Sequence, residues 1–504
     1  MKIHLVFGLI TVLLLVIVIS SRQRETVGFD EVAAAALKMA QEDYLTASPA
    51  LPRSLRELTA DQYKLIRWND EKTLWRKEGL PFQVRFFHPG HIYDRQIDIY
   101  EVNKQGTQKK TYSRQAFEFD PRLEGLKFFN VIGYAGFRLM YPINRPEQLD
   151  EVLRFLGGSD FQAIAKGLVL GARSRALVID PGDTGKPAEE PVFTSFWLRR
   201  PDTFSSQFTL LALLESRSVT GAYSFEVEPG EETKVRVRAR LYFRRKVDQV
   251  GFAPLISMFW FGENTSNTFG DFRPEVHKSD GLLFQTDSGE WVWRPLSWIA
   301  SPQVNVFANA GPKGYGLMQR DRDFSHYQDL NSLFHQMPSV WVQPVKGFNQ
   351  GAVSLIQQPT NNDQADNVMA CWSPKTSPRP LEPVEIEYVL RWMTYSPELP
   401  PVGRCVSTRV DLQDEANRRE IFLDFAGGPL DKVKQGEMPT PEVLSPNGAA
   451  TISNVKIERN EFGKSWRVSF LAERNEEKKP IELRCRVLVN GAPASETWTY
   501  TWNP

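Results

Sequence analysis

The chain has 504 residues, enough for roughly two to four domains or for one large β domain with a smaller companion. Lys plus Arg and Asp plus Glu each number 61, so the formal net charge is zero, which excludes nucleic acid or an anionic membrane surface as an electrostatically captured partner. A hydrophobic content of 41% with 24% charge is that of a globular protein, and three Cys are too few for a disulfide scaffold.

At the start of the chain, Lys2 precedes an uncharged run from Ile3 to Ser20, and Ser21-Arg22-Gln23-Arg24 follows. Residues 1–22 therefore read either as an export signal or as a single N-terminal membrane anchor. The apolar core is short for a full span, yet an Ala-x-Ala cleavage site is missing. Phe29 to Glu42 predicts a helix, with Phe29, Val32, Ala36 and Ala40 on one stripe and Asp30-Glu31 where the helix dipole favours acids. Leu149, Val152, Leu153 and Leu156, ahead of Gly157-Gly158, predict a second helix, and Asp160 the start of a short third. Val235 to Phe243 alternates Val, Val, Ala, Leu and Phe with mainly Arg and predicts a strand, as does Glu385 to Trp392. Ser396-Pro-Glu-Leu-Pro-Pro-Val-Gly403 suits a stiff linker. It places a boundary at residues 395–403 between a domain of residues 23–394 and one of residues 404–504. In the latter, Ile481, Leu483, Cys485, Val487 and Val489 alternate, Asn490-Gly491 predicts a two-residue hairpin, and Trp498, Tyr500 and Trp502 share a face. The expected fold is mainly β: a large N-terminal β-sandwich followed by an immunoglobulin-like one. A Cys405–Cys485 bridge is left open by the spacing, while Cys371 reads as a buried small hydrophobe.

Two segments carry the chemistry. Phe272 to Leu282 sets Glu275, His277 and Asp280 beside the Trp-rich Gly289-Glu-Trp-Val-Trp-Arg-Pro295, and Gln319 to Asp329 repeats the mixture of acids, Arg and aromatic rings. Rings stack on sugar faces, while Arg and carboxylates hydrogen-bond hydroxyls. Asp321, Arg322 and Tyr327, with His326 beside them, are the candidate hydroxyl partners, although alternating charge over residues 320–323 also suits a solvated ion-pair segment. Glu275 and His277 would share one face of a strand and serve as ligands, as acid/base groups or as structural hydrogen-bonding partners. Asp280-Gly281 doubles as a hairpin signal and Asp366-Asn367 as a turn opener. Trp372 could lend Asp366 apolar surroundings. The six His show no zinc-ligand spacing, so neither metal nor cofactor is expected. GxxxxGKS and Gly-x-Ser-x-Gly are absent, which argues against a nucleotide-driven transferase and leaves water as the nucleophile of any catalysis.

Gly133-Tyr-Ala-Gly-Phe-Arg138, Tyr141-Pro-Ile-Asn144, Phe272 to Leu282, Gly289 to Leu296, Gln319 to Asp329 and Asp366-Asn-Val368 are long, low-degeneracy strings. Through them the chain resembles, from Phe29 essentially to its C-terminus, the osmoregulated periplasmic glucan biosynthesis protein G/D family. Lack of a paired-Arg export signal favours the G type. The resemblance implies a periplasmic protein that makes or trims β-1,2-linked glucans; the anchor reading of residues 1–22 would retain it at the inner membrane. It also implies an N-terminal sandwich related to galactose mutarotases, a supersandwich, ahead of the immunoglobulin-like domain. Members that are inverting hydrolases place the general acid at the position of Asp366 and the base at that of Asp280. Inversion sets such carboxyls ~6.5–9.5 Å apart, or farther when waters relay the proton. The alternative is a non-catalytic glucan-binding scaffold that assists a membrane glucan synthase.

Overall fold

The computed structural model describes residues 26–44, 51–128, 131, 133–182, 187–265, 269–309, 311–411, 417–434, 436–476 and 479–503. The apolar run behind the signal-or-anchor reading of residues 1–22 lies outside the described residues; among these, no helix is long and apolar enough to cross a membrane.

The molecule is mainly β. A ten-stranded sheet runs from Gln83–Phe87 through Gly136–Arg145, Gln148–Leu156, Asp160–Ala163, Arg173–Arg175, Val250–Ser257, Val368–Pro374 and Gly351–Gln357 to Gln303–Asn309, with Leu177–Ile179 pairing to Val250–Ser257 off that path. A fifteen-stranded sheet faces it, and both contribute to one core: Phe137, Phe155 and Phe161 from the first meet Phe196, Phe225 and Val237 from the second. Alternation explains the pattern. In Thr233–Phe243, Val235, Val237, Ala239, Leu241 and Phe243 are buried, while Arg236 and Arg240 turn outward to Glu387 and Glu385 at 2.9 and 2.8 Å. Phe208–Glu215 is buried on both faces. Leu210, Ala212 and Leu214 enter the core, whereas Leu211 and Leu213 receive Val32, Ala33, Ala36 and Ala40 of the helix Phe29–Ala40. That helix forms where the sequence placed it, ending two residues earlier.

The two other helices expected from spacing are strands. Gln148–Leu156 pairs with Gly136–Arg145, and Asp160–Ala163 pairs back onto it. A β-bulge explains the misleading spacing. Leu139 faces Leu153 and Met140 faces Glu151, so Val152 is an extra residue and both Val152 and Leu153 turn inward, which imitates a helical i, i+3, i+4 pattern. Gly157 and Gly158, at φ of 83° and 68°, form the tight connection between the strands and do not cap a helix.

The C-terminal region adds a four-stranded sheet beginning at Arg404–Asp411 and four further strands that extend the fifteen-stranded sheet. Ile481–Val489 buries Ile481, Leu483, Cys485 and Val487, with Val489 half-buried, and Asn490-Gly491 turns with both φ positive, at 51° and 79°, as a type I′ hairpin requires. Thr497–Trp502 runs parallel to Trp291–Pro295, with Val292 opposite Thr497 and Trp293 opposite Trp498. The Pro-rich stretch packs down: Leu399 is buried in the second core together with Cys405, Trp293 and Trp498. Cys371, Cys405 and Cys485 are all free and buried, so the optional Cys405–Cys485 bridge is not formed.

Candidate functional site

Asp366 precedes the strand Val368–Pro374, and its neighbour Asn367 anchors it. The Asn367 amide accepts from Phe259 N–H at 2.9 Å and donates to Phe259 O and Gln358 O at 3.0 and 2.8 Å. The Asp-Asn pair therefore laces a loop to the end of Val250–Ser257 and is not a free turn. The Asp366 side chain is 7% exposed, and both of its oxygens meet cations, Arg173 on one and Lys278 Nζ at 2.7 Å on the other. Arg173 continues to Asp160 at 2.8 Å, and Asp160 to Arg175, whose Nη2 donates at 3.1 Å. The Asp160, Arg173 and Arg175 end of this chain lines a cavity of about 440 Å³ whose lining also includes Tyr93, Arg95, Arg154 and Gln162. Polar, arginine-rich and bordered by Tyr93, it has the donors that a hydroxyl-rich chain needs.

Asp280 lies two residues beyond Lys278. Its Oδ2 accepts the backbone N–H groups of Arg320 and of Asp321, the latter at 3.0 Å, and its Oδ1 lies 3.6 Å from His277 Nε2. His277 is 1% exposed; Nε2 donates to Glu275 at 2.8 Å and Nδ1 to Gln319 Oε1 at 3.1 Å. Burial disfavours its charge, but Asp280 and Glu275 outweigh burial and push the ring up to about 9, so it is an imidazolium at neutral pH. His277 ends the strand Val276–His277, and Lys278 follows in a bend with its ammonium on Asp366 while His277 lies by Asp280. Asp366 and Asp280 are thus engaged by adjacent residues of one short segment.

Glu275, His277 and Asp280 bring ligand atoms within 4.8 Å of one another, as do Glu275, Asp321 and His326, so both triads have the composition of a metal site.

The six predicted substrate contacts separate into two groups. Asp321 and His326 form a partly exposed pair, His326 Nδ1 to Asp321 Oδ2 at 2.5 Å. Glu275 is buried against His277. Arg322 spends its guanidinium on the carbonyls of His335, Met337 and Thr394. Tyr327 is 0% exposed, and its hydroxyl accepts from Gln319 Nε2 at 2.9 Å. Both residues therefore turn inward, where backbone carbonyls and Gln319 satisfy them. Trp372 is 1% exposed and packs in the main core against Phe252 and Phe348, at ring distances of 5.9 and 4.9 Å. Trp372→Ala is expected to cost about 3–5 kcal/mol in denaturant unfolding while leaving glucan affinity per folded molecule unchanged.

Residues that sequence reasoning passed over complete the site. Arg173-Ser-Arg175 carries two cations two apart on a strand, a spacing that could have marked it. Lys278 sits inside the string already singled out. Arg273 binds Asp271, Asp329 at 2.8 Å and Asp363 at 2.9 Å, which joins three loops near Asp366. Glu263 crosses to Ser407 at 3.0 Å and Arg409 at 3.1 Å; burial pushes its carboxyl up to about 7.

The family described as periplasmic glucan biosynthesis protein, MdoG, matches residues 27–502. The chain is 39% identical over 487 residues to glucans biosynthesis protein G of Ralstonia nicotianae, covering 95% of this chain and 96% of that one. It is 38% identical over 469 residues to the protein of the same name from Bradyrhizobium diazoefficiens, covering 92% and 91%. To a probable glucans biosynthesis protein D of Shewanella oneidensis it is 34% identical over 493 residues, covering 96% and 90%.

Proposed function

The chain belongs to the MdoG family of periplasmic glucan biosynthesis proteins, and from that premise we propose that it works in periplasmic glucan biosynthesis as an inverting glycoside hydrolase or transglycosylase on a β-1,2-linked glucan backbone. In this reading Asp366 is the acid, Asp280 the base, and Asp321 and His326 meet hydroxyls. The observation that carries it is the placement of Asp366, nearly buried and tied through Arg173 to the floor of a polar cavity.

The sugar chain enters along Arg154, Arg173 and Arg175. Its hydroxyls draw Arg173 and Lys278 off the Asp366 carboxyl, which takes up a proton and delivers it to the leaving oxygen. Asp280, its Oδ2 steadied by two backbone N–H groups, accepts the proton of the attacking water. Arg173→Ala is expected to raise KM by about tenfold or more, since a hydrogen bond to a charged group contributes roughly 1.5–3 kcal/mol.

One feature favours a second reading. Both oxygens of Asp366 are already taken up by Arg173 and Lys278, an arrangement that also suits a glucan-binding scaffold that assists a membrane glucan synthase. The decisive experiment incubates the chain from Gln23 onward with linear β-1,2-glucan, counting new reducing ends and following the anomer of the new end by NMR. New ends of inverted configuration support the hydrolase. Glucan binding without new ends rejects it in favour of the scaffold.

A further inference from the structure

We propose that the C-terminal region is part of the machinery of the base: Glu496, acting through Arg320, sets the two backbone N–H groups that hold Asp280. This rests on the reading of Asp280 as base. Glu496 has a side-chain exposure of 0% and forms a fork with Arg320, Nη1 to Oε1 at 2.6 Å and Nη2 to Oε2 at 2.9 Å. Arg320 Nη1 also donates to Cys405 O at 3.0 Å, and the guanidinium lies 3.6 Å above the ring of Trp293. The same residue donates its backbone N–H to Asp280, and the next one, Asp321, donates its own at 3.0 Å.

The register that brings Glu496 there is set by the sheet. Glu496 directly precedes Thr497–Trp502, whose parallel pairing with Trp291–Pro295 places Trp498 opposite Trp293, the ring beneath Arg320. Glu496 is pinned in turn, its N–H donating to Gly403 O at 2.8 Å and its Oε1 accepting from Cys405 N–H at 2.9 Å. A small cavity of about 50 Å³, room for one or a few waters, has Asp280 and His277 on one side and Ser407 and Thr408 on the other. The C-terminal strands therefore wall in the base as well as hold its donors. Glu496 is a positioning residue: it touches Arg320, while the backbone N–H groups of Arg320 and Asp321 are what donate to the Asp280 carboxylate.

The test compares wild type, Glu496→Gln, which keeps the shape and removes the charge, and Glu442→Gln, which breaks an ion pair with Arg486 elsewhere in the same region. Two quantities are read on folded, full-length soluble protein: steady-state cleavage of linear β-1,2-glucan, and hydrogen exchange of the peptide spanning residues 319–323. Glu496→Gln is expected to lower kcat tenfold or more, with KM within about twofold, and to speed exchange at residues 320 and 321 about tenfold. Glu496→Asp recovers part of both, and Glu442→Gln changes neither. Unchanged exchange in Glu496→Gln overturns the proposal, as does a kcat that stays at the wild-type value while exchange rises. If wild type itself cleaves no glucan, the hydrolase reading fails, while the exchange data still decide whether Glu496 holds those two amides. Should Glu496→Gln aggregate, Arg320→Lys, which keeps the charge and loses the fork, is read in the same two assays.

Discussion

Asp366→Asn is expected to reduce glucan cleavage by about three orders of magnitude while leaving glucan binding within a few-fold. The amide keeps the shape and one acceptor, so Arg173 still lines the cavity, but it has no proton to give the leaving oxygen. Loss of a positioned general acid typically costs about 10²–10⁴ in rate. The substitution also leaves two cations facing a neutral group. Removing one partner from a buried ion pair costs about 3–5 kcal/mol, and Arg173 and Lys278, at 33% and 23% side-chain exposure, bring that to the low end. Activity is therefore normalised to folded protein, with thermal unfolding measured in parallel. Retained turnover would remove Asp366 from the acid role.

Asp280→Asn is expected to abolish turnover as well, and to change how stability depends on pH. His277 is the reason. Its folded value is raised to about 9 from an ordinary 6.5, so its charge contributes stability that is fully present below about pH 6.5 and lost as pH rises through about 9. A shift of that size corresponds to on the order of 3 kcal/mol at a site 1% exposed. The wild-type melting temperature is expected to fall across that window. In Asp280→Asn one of the two carboxylates holding the imidazolium is gone, so the fall begins at lower pH, and in His277→Gln this contribution disappears. Melting curves from pH 6 to pH 9.5 check all three; identical profiles for wild type and His277→Gln would exclude a buried imidazolium. Glu263 acts in the same direction over a lower range. Its raised folded value, about 7, gives stability present below about pH 4.5 that is lost as pH rises through 7.

Much of the fold was legible because it is local. The stripe of the first helix, the alternation of residues 235–243 and 481–489, and the Asn490-Gly491 turn each express a rule that acts within a few residues. The reading failed where pairing overrode local spacing. A bulge at Val152 produced a helical interval inside a strand, and only its partner strand reveals the extra residue. In the site, Asp366, Asp280 and Glu275 stand in segments that the residue types mark as chemical, but which neighbour each would meet was not readable. Arg320, Arg322 and Tyr327 lie in irregular chain ahead of or within one helical turn, where no period assigns an inward face.

The sequence by itself determined the β class, the turn chemistry, the balance of charge and the strings that mark the family. These depend on residue identity and spacing along the chain. Tertiary structure alone decided which charges meet: Asp366 with Arg173 and Lys278 across 193 and 88 positions, and Glu496 with Arg320 across 176. Such pairs follow from sheet register. Strands distant in sequence become neighbours through backbone hydrogen bonds that carry no side-chain identity, so the partners of a buried charge are set only when the sheets close.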